Sequence, residues 1–192
     1  MIKLNLGCGT DLKKGYINID KVKYNGIKNM DLDKFPYPFG DESVNEIIVY
    51  NILEHLKDWQ RSFREMKRIL KLNGIIKIIV PHFSSPQANS ELHKTRFWWY
   101  SFTDKNMQNR ITKIGNYNLQ GIDLYSGLGL KKKKLKFIKQ WFCFWNYIIE
   151  WLVNLHPHLP VFYENTIVCY LFQAYEIEVE LVKVSLNRRA GE

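Results

Sequence analysis

The chain has 192 residues and is 46% hydrophobic, which fits one folded domain and excludes wholesale disorder. Its apolar runs stay below the roughly 18–20 residues that a membrane span requires. Its net charge of +9 favours anionic partners, namely nucleic acid, acidic glycans or an anionic membrane surface.

The first half of the chain alternates strand and helix patterns in the order that builds a mostly parallel α/β sheet. Short apolar runs predict strands at residues 3–6, 16–19 and 46–50, with another ending near residues 30–32. Apolar residues at helical spacing predict a helix over residues 58–72, stopped by Asn73 and Gly74. Residues 75–80 then form a strand that ends at Pro81.

The second half predicts a helix at residues 103–111, a strand at 117–125, and a long aromatic-rich helix at 135–155 after the lysine run 131–134. Two further strands are expected at residues 166–172 and 175–184. A turn at residues 173–174 would pair them as a C-terminal antiparallel hairpin.

Two glycines, Gly7 and Gly9, follow the first strand directly. A strand that runs into a glycine turn brings the backbone close to an anionic or polar cofactor, and glycine adopts the positive φ angles that such turns use. Asp20 ends the second strand, where a carboxylate can accept hydrogen bonds from both hydroxyls of a ribose. Asp31 and Leu32 end the third, beside the expected place of an adenine ring.

Further motifs follow in order: Asn51-Ile-Leu-Glu54-His55-Leu56, Arg68-Ile-Leu-Lys-Leu-Asn-Gly74 and Val80-Pro81-His82. Together with Leu4-Asn-Leu-Gly-Cys-Gly9, they resemble the class I S-adenosylmethionine-dependent methyltransferases, in particular the small branch that begins L-N-L-G-C-G. The resemblance covers residues 3–83. It implies a Rossmann-like fold, S-adenosylmethionine as cofactor and S-adenosylhomocysteine as product.

The resemblance also implies roles for individual residues. The methionine part of the cofactor would lie against the turn, Asp20 would hold the ribose, and Asp31 with Leu32 would flank the adenine. Residues beyond the fourth strand would line the cavity where the acceptor meets the methyl group. The turn is formed by Leu6, Gly7, Cys8 and Gly9, and the cavity by Asn51, Glu54 and His55.

The sequence departs from the family pattern at three places. Asp11 stands where a third glycine is frequent, Asn45 replaces an aspartate, and Leu72-Asn73-Gly74 replaces Pro-Gly-Gly. Only eleven positions separate Gly9 from Asp20, so the first helix must be very short or absent. This spacing, with the incomplete G-x-G-x-x-G pattern, argues against a nicotinamide dinucleotide.

Methyl transfer to a hydroxyl requires alignment and a base that removes the proton. Histidine is the natural base near neutral pH, and the candidates are His82, His93 and His55, with His82 or His93 favoured. Each is equally consistent with a structural histidine, and Glu54 with a carboxylate that only starts a helix. No metal is expected, because His156 and His158 lack a third ligand nearby.

The favoured hypothesis is O-methylation of a glycan or another small hydroxyl acceptor, because relatives in this branch resemble accessory enzymes of polysaccharide assembly. The alternatives are methylation of nucleic acid, which is less expected, or of protein, and a cofactor-binding partner protein without catalysis. Residues 131–155 fit a lid or core helix, a peripheral membrane contact or a dimer interface. The oligomeric state is left open.

We therefore expect one domain over residues 1–192, with a cofactor-binding core at 1–83, an acceptor-side region at 84–165 and the hairpin at 166–186. The aromatic run at residues 96–100 either walls the acceptor site or packs in the core. No signal peptide is visible at the strand-like start. An odd number of cysteines, Cys8, Cys143 and Cys169, favours a reducing compartment. The expected location is the cytoplasm.

Overall fold

A computed structural model describes residues 1–102, 125–139 and 143–185. These residues build a seven-stranded sheet in the order β3-β2-β1-β4-β5-β7-β6. Neighbouring strands from β3 to β5 are parallel, and β7 is antiparallel to both β5 and β6. The strands are β1 (Lys3–Leu6), β2 (Ile17–Asp20), β3 (Ile27–Asn29), β4 (Val44–Tyr50), β5 (Leu70–Pro81), β6 (Leu128–Phe137) and β7 (Ala174–Lys183).

The strand order reverses between β1 and β4, which lie side by side at the centre of the sheet. In open parallel sheets, ligands bind outside the carboxyl ends of the strands at such a reversal. The chain leaves β1 into Gly7 and leaves β4 into Asn51. The topology therefore predicts a ligand site at these two segments.

The predicted first-half strands are confirmed, and residues 7–16 contain turns instead of a helix, as the short spacing predicted. Two buried asparagines hold this segment. The Asn5 amide donates to Asn18 (2.9 Å) and to the Asp11 carbonyl (2.8 Å), while Asn18 accepts from the Lys13 N–H (2.9 Å). Side-chain amides thus satisfy backbone groups that a helix would have paired.

Helix α1 (Trp59–Ile69) packs Phe63, Met66 and Ile69 into the core. The Asp58 side chain caps it by accepting from the Arg61 N–H (2.8 Å). It ends three residues before the predicted position, because Leu70 already pairs with Val44 as the first residue of β5. Asn73 and Gly74 consequently lie within β5 and do not stop the helix.

Several second-half predictions are wrong. The lysine run 131–134 lies in β6, which extends to Phe137. Among the described residues of the predicted helix 135–155, the α-helical ones are Trp145–Val153, which form α2. Residues 166–172 form no strand; α3 (Leu159–Glu164) and α4 (Val168–Leu171) occupy this part of the chain. The predicted helix 103–111 and strand 117–125 fall outside the described residues, except for Tyr125.

The antiparallel C-terminal pair exists, but its strands are β6 and β7. Lysines of β6 meet glutamates of β7: Lys131 with Glu180 at 2.6 Å and Lys132 with Glu178 at 2.7 Å. Opposite charges across neighbouring strands stabilise the pairing. No helix among the described residues is both long and apolar enough to cross a membrane.

Candidate active site at the carboxyl edge of the sheet

The turn after β1 contains two glycines with positive φ, +64° at Gly7 and +49° at Gly9. A Cβ at Gly7 would lie 2.3 Å from Cγ1 and 2.7 Å from Cβ of Ile52, so the segment after β4 occupies that side. A Cβ at Gly9 would meet no atom within 4 Å. Packing therefore requires Gly7, whereas Gly9 leaves an open face for a ligand.

Asp20 fastens this turn to the end of β2. Its Oδ2 accepts from the Gly9 N–H (2.9 Å) and its Oδ1 from the Val22 N–H (3.0 Å). The Cys8 N–H donates to the Ile19 carbonyl (3.0 Å), and burial raises the pKa of the Cys8 thiol. Each Asp20 oxygen keeps a second lone pair, which suits the two hydroxyls of a ribose.

Asp31 and Leu32 lie just beyond β3 and differ in exposure. Asp31 is half-buried and accepts from the Asp33 N–H (3.0 Å). Leu32 is part of the core, and its carbonyl accepts from the Tyr37 hydroxyl (2.9 Å) and the Ser62 hydroxyl (3.0 Å). Asp31 is therefore the better placed of the two to contact an adenine.

Beyond β4, the chain turns at Asn51, whose φ is +50°, and enters a 3₁₀ turn at Leu53–His55. Glu54 in this turn is only 1% exposed, and neither carboxylate oxygen has a hydrogen-bond partner. Burial raises the pKa of Glu54 to about 7, with a further contribution from the charge of Glu176. Buried polar atoms without partners are uncommon in folded proteins, which marks Glu54 as a functional candidate.

Two histidines lie beside this carboxyl group. The carbonyl of Glu54 accepts from the Lys94 N–H (2.7 Å), which holds the segment carrying His93 against the 3₁₀ turn. The rings of His55 and His93 meet edge to face, with centroids 4.6 Å apart. Nδ1 of His93 is buried without a partner, and burial together with His55 lowers the pKa of His93.

His82 is held differently. Its side chain is fully buried, Nδ1 accepts from the Ser84 N–H (3.2 Å), and Nε2 lies 2.9 Å from Oε1 of Glu164. Both ring nitrogens are engaged, so His82 ties the end of β5 to α3. Among the three predicted base candidates, the structure brings together His55 and His93, whereas the ring of His82 is held by Ser84 and Glu164.

Sequence reasoning missed two acidic residues. Glu164 binds His82, and Glu176 lies at the start of β7 opposite Pro81. Burial raises the pKa of Glu176, partly offset by a hydrogen bond with the Asn51 side chain. The alternation of β7 places Glu176 on one face with Glu178, but nothing local in the sequence connects it with Asn51.

The aromatic run 96–100 mainly serves the core. Phe97 and Trp99 are buried, whereas Trp98 is 46% exposed and stacks on Phe83 at a centroid distance of 5.8 Å. Trp98, stacked on Phe83, is therefore the exposed aromatic side chain of this run.

The carboxyl edge fits S-adenosylmethionine. Gly9 has the open face that a closely approaching ligand needs, Asp20 has free lone pairs for hydroxyl groups, and Asp31 is half-exposed beside them. These groups lie at the carboxyl ends of β1, β2 and β3, in the order expected for methionine, ribose and adenine.

Comparison with known proteins supports the same assignment. Residues 4–78 match the family model described as a methyltransferase domain, and no curated protein sequence matches the chain. The 4+2 cyclase SpnF superposes with a TM-score of 0.53 at 13% identity, covering 95% of this chain and 75% of that one. An S-adenosylmethionine-dependent methyltransferase from Archaeoglobus fulgidus gives a TM-score of 0.51 at 15% identity, covering 94% and 85%.

Identities this low show the fold alone, and the cyclase illustrates that one fold hosts different reactions. The family match covers the five strands that carry the glycine turn, Asp20, Asp31 and the segment after β4. With the site geometry and the shared fold, this match over residues 4–78 supports a class I S-adenosylmethionine-dependent methyltransferase.

Proposed function

We propose that the enzyme methylates a hydroxyl oxygen of a glycan or another small acceptor. The observation that carries this proposal is the pair of buried polar groups without partners, the Glu54 carboxyl group and Nδ1 of His93. Glu54 lies just beyond β4, two residues after Ile52, which contacts the glycine turn. The hydrogen bond from the Lys94 N–H to the Glu54 carbonyl holds the segment that carries His93 against it. A hydroxyl is a poor nucleophile until its proton is removed, and this cluster would supply the proton acceptors.

The reaction needs little else from the protein. When bound, S-adenosylmethionine would supply a sulfonium methyl group to which the acceptor oxygen bonds, while the electron pair of the carbon–sulfur bond returns to sulfur. The proton of the hydroxyl passes to the cluster of Glu54, His55 and His93. Asp20 and the turn at Gly9 hold the cofactor, so that alignment lowers the barrier.

Nucleic acid is the weaker alternative acceptor, because three of the five lysines of β6 already pair with glutamates of β7. Lys131 and Lys132 pair with Glu180 and Glu178, and Lys136 lies 3.7 Å from Glu178. Binding through phosphate contacts would release counterions and weaken steeply with salt. An affinity for the acceptor that does not change with salt concentration would support the hydroxyl proposal over this alternative.

A membrane surface is the proposed partner of helices α2 to α4, which would suit an acceptor carried on a lipid. These helices expose aromatic and aliphatic side chains that suit the interface between water and lipid. Lys139 lies between β6 and α2, its side chain is 39% exposed, and it pairs with Glu150. The exposed side chains include Trp145 (56%), Tyr147 (53%), Trp151 (63%), Phe162 (65%), Ile167 (71%), Tyr170 (66%) and Leu171 (66%).

The acceptor proposal is tested by incubating the enzyme and S-adenosylmethionine with panels of glycosides, phenols, amines and oligonucleotides, followed by mass spectrometry. We expect methylation of hydroxyl acceptors. His93→Asn should lower kcat about 10²- to 10⁴-fold, the usual contribution of acid–base catalysis, without changing cofactor affinity. His156→Gln, at an exposed histidine, is the matched control. Methylation confined to amines or oligonucleotides contradicts the proposal.

Membrane contact is tested by sedimentation with vesicles of phosphatidylcholine and phosphatidylglycerol. Trp151→Ser combined with Phe162→Ser should abolish co-sedimentation. Leu130→Ser, which alters a residue of β6 that is 56% exposed, should not. A folded double variant that still sediments with vesicles contradicts the membrane contact. The contact is also contradicted if the wild type forms a dimer, does not bind vesicles, and is converted to a monomer by the double substitution.

A further inference from the structure

Glu54, His55 and His93 converge on one point of the carboxyl edge. One ligand atom from each side chain lies within 4.8 Å of the ligand atoms of the other two. Glu54 is 1% exposed with both carboxylate oxygens unpartnered, and Nδ1 of His93 is buried without a partner as well. Three side chains of metal-ligating type, one buried and two half-buried, therefore converge where the Glu54 carboxyl group and Nδ1 of His93 have no partner.

We propose that these three residues bind a divalent transition metal ion. Burying a carboxyl group without a hydrogen bond is costly, and a cation would supply the missing partner. Two imidazoles and one carboxylate are a ligand set that suits Zn²⁺ and related dications. Zinc bonds of about 2.1 Å in a tetrahedral site separate the ligand atoms by about 3.4 Å. Since the ligand atoms lie within 4.8 Å of one another, side-chain rotations that bring them together by at most about 1.4 Å would complete the site.

Hydrogen bonds outside the cluster already orient the ligands. Nδ1 of His55 lies 3.3 Å from the Leu92 carbonyl, which leaves Nε2 as its ligand atom. The Glu54 carbonyl accepts from Lys94 (2.7 Å) and from Thr95 (3.3 Å), so the segment that carries His93 is fixed to the turn that carries the other two ligands. Metal-binding histidines usually have such outer partners.

The catalytic role of this metal site rests on the proposed function, whereas metal binding itself does not. Three protein ligands leave a fourth position open, as in catalytic zinc sites. A hydroxyl oxygen in that position would lose its proton more readily, because a bound dication lowers the pKa of a coordinated hydroxyl or water. The metal would then activate the acceptor in place of a free imidazole base, and the hydroxyl proton would pass to solvent instead of to the three side chains.

The inference is tested by calorimetric titration of metal-stripped, reduced protein with ZnCl₂. We expect one Zn²⁺ per chain, and at least tenfold weaker binding by Glu54→Gln and by His93→Asn. The matched control is the double variant His156→Gln with His158→Gln, which removes the exposed histidine pair and should leave the affinity unchanged. Co²⁺ should give a visible d–d absorption band in the wild type and the control only.

Circular dichroism verifies that each variant is folded, and His55→Asn replaces any variant that is not. The absence of Zn²⁺ binding by the wild type, or its loss in the control variant alone, overturns the inference. The two proposals fail separately. Metal binding without methylation of any hydroxyl contradicts the acceptor proposal, whereas hydroxyl methylation by a wild type that binds no Zn²⁺ contradicts the metal site.

Discussion

Replacing Gly7 by alanine tests the contact that places the segment after β4 against the glycine turn. An L-residue at a φ of +64° costs about 1–2 kcal/mol. The new Cβ would also lie 2.3–2.8 Å from three side-chain carbons of Ile52, and overpacking of this kind costs about 1–3 kcal/mol. Gly7→Ala should therefore lower the free energy of unfolding by about 2–5 kcal/mol.

Gly15 provides the matched control, because its φ is +83° and a Cβ there would meet no atom within 4 Å. Gly15→Ala should cost only the backbone strain, about 1–2 kcal/mol. Urea unfolding followed by circular dichroism measures both values. Adding Ile52→Ala to Gly7→Ala should show a favourable coupling of about 1 kcal/mol or more. Equal losses in the two glycine variants, with no coupling, would refute the reasoning.

Three further predictions concern the turn, an ion-pair network and His82. Gly9→Ala should lower the free energy of unfolding by about 1–2 kcal/mol, the cost of one strained residue. It should also weaken S-adenosylmethionine binding measured by calorimetry. An unchanged affinity would contradict the proposed position of the cofactor. Burial raises the pKa of Glu46, but hydrogen bonds from Lys77 and Lys3 lower it to about 2, below the ordinary 4.5. The folded protein thus gains up to about 3 kcal/mol from Glu46. This contribution is present above pH 4.5 and lost as the pH falls toward 2. Glu46→Gln should flatten the pH profile of the urea midpoint in that range, and an unchanged profile would refute the assignment. His82→Asn should reduce stability by about 1–3 kcal/mol and leave cofactor affinity intact; the reverse pattern would return His82 to the catalytic candidates.

The cofactor half of the site was predictable from sequence, because each functional residue there directly follows a strand of a parallel sheet. Gly7 and Gly9 follow β1, Asp20 ends β2, and Asn51 follows β4. The carboxyl ends of parallel strands meet at one edge, so the order of these motifs fixes their proximity. Local sequence patterns were sufficient to predict this half of the site because its residues come from the ends of regular strands.

The second half was less predictable, because distant contacts decide it. The lysine run 131–134 has low strand propensity, and the glutamates of β7 that pair with it lie more than forty residues away. Likewise, His93 follows His55 by 38 positions. Contacts of Leu92, Lys94 and Thr95 with the 3₁₀ turn bring the two rings together. No periodicity in the sequence reports such contacts.

Calorimetric titration with S-adenosylmethionine, comparing the wild type with Asp20→Ala, tests the central claim most directly. Asp11→Ala is the matched control, since Asp11 is 63% exposed and pairs only with Lys13 among the ion pairs of the described residues. The account predicts binding by the wild type and the control. Asp20→Ala should bind about 10- to 150-fold more weakly, as expected when charged hydrogen bonds worth about 1.5–3 kcal/mol are lost. Equal affinities of the two variants, or no binding by folded wild-type protein, would contradict the assignment of this edge as the cofactor site.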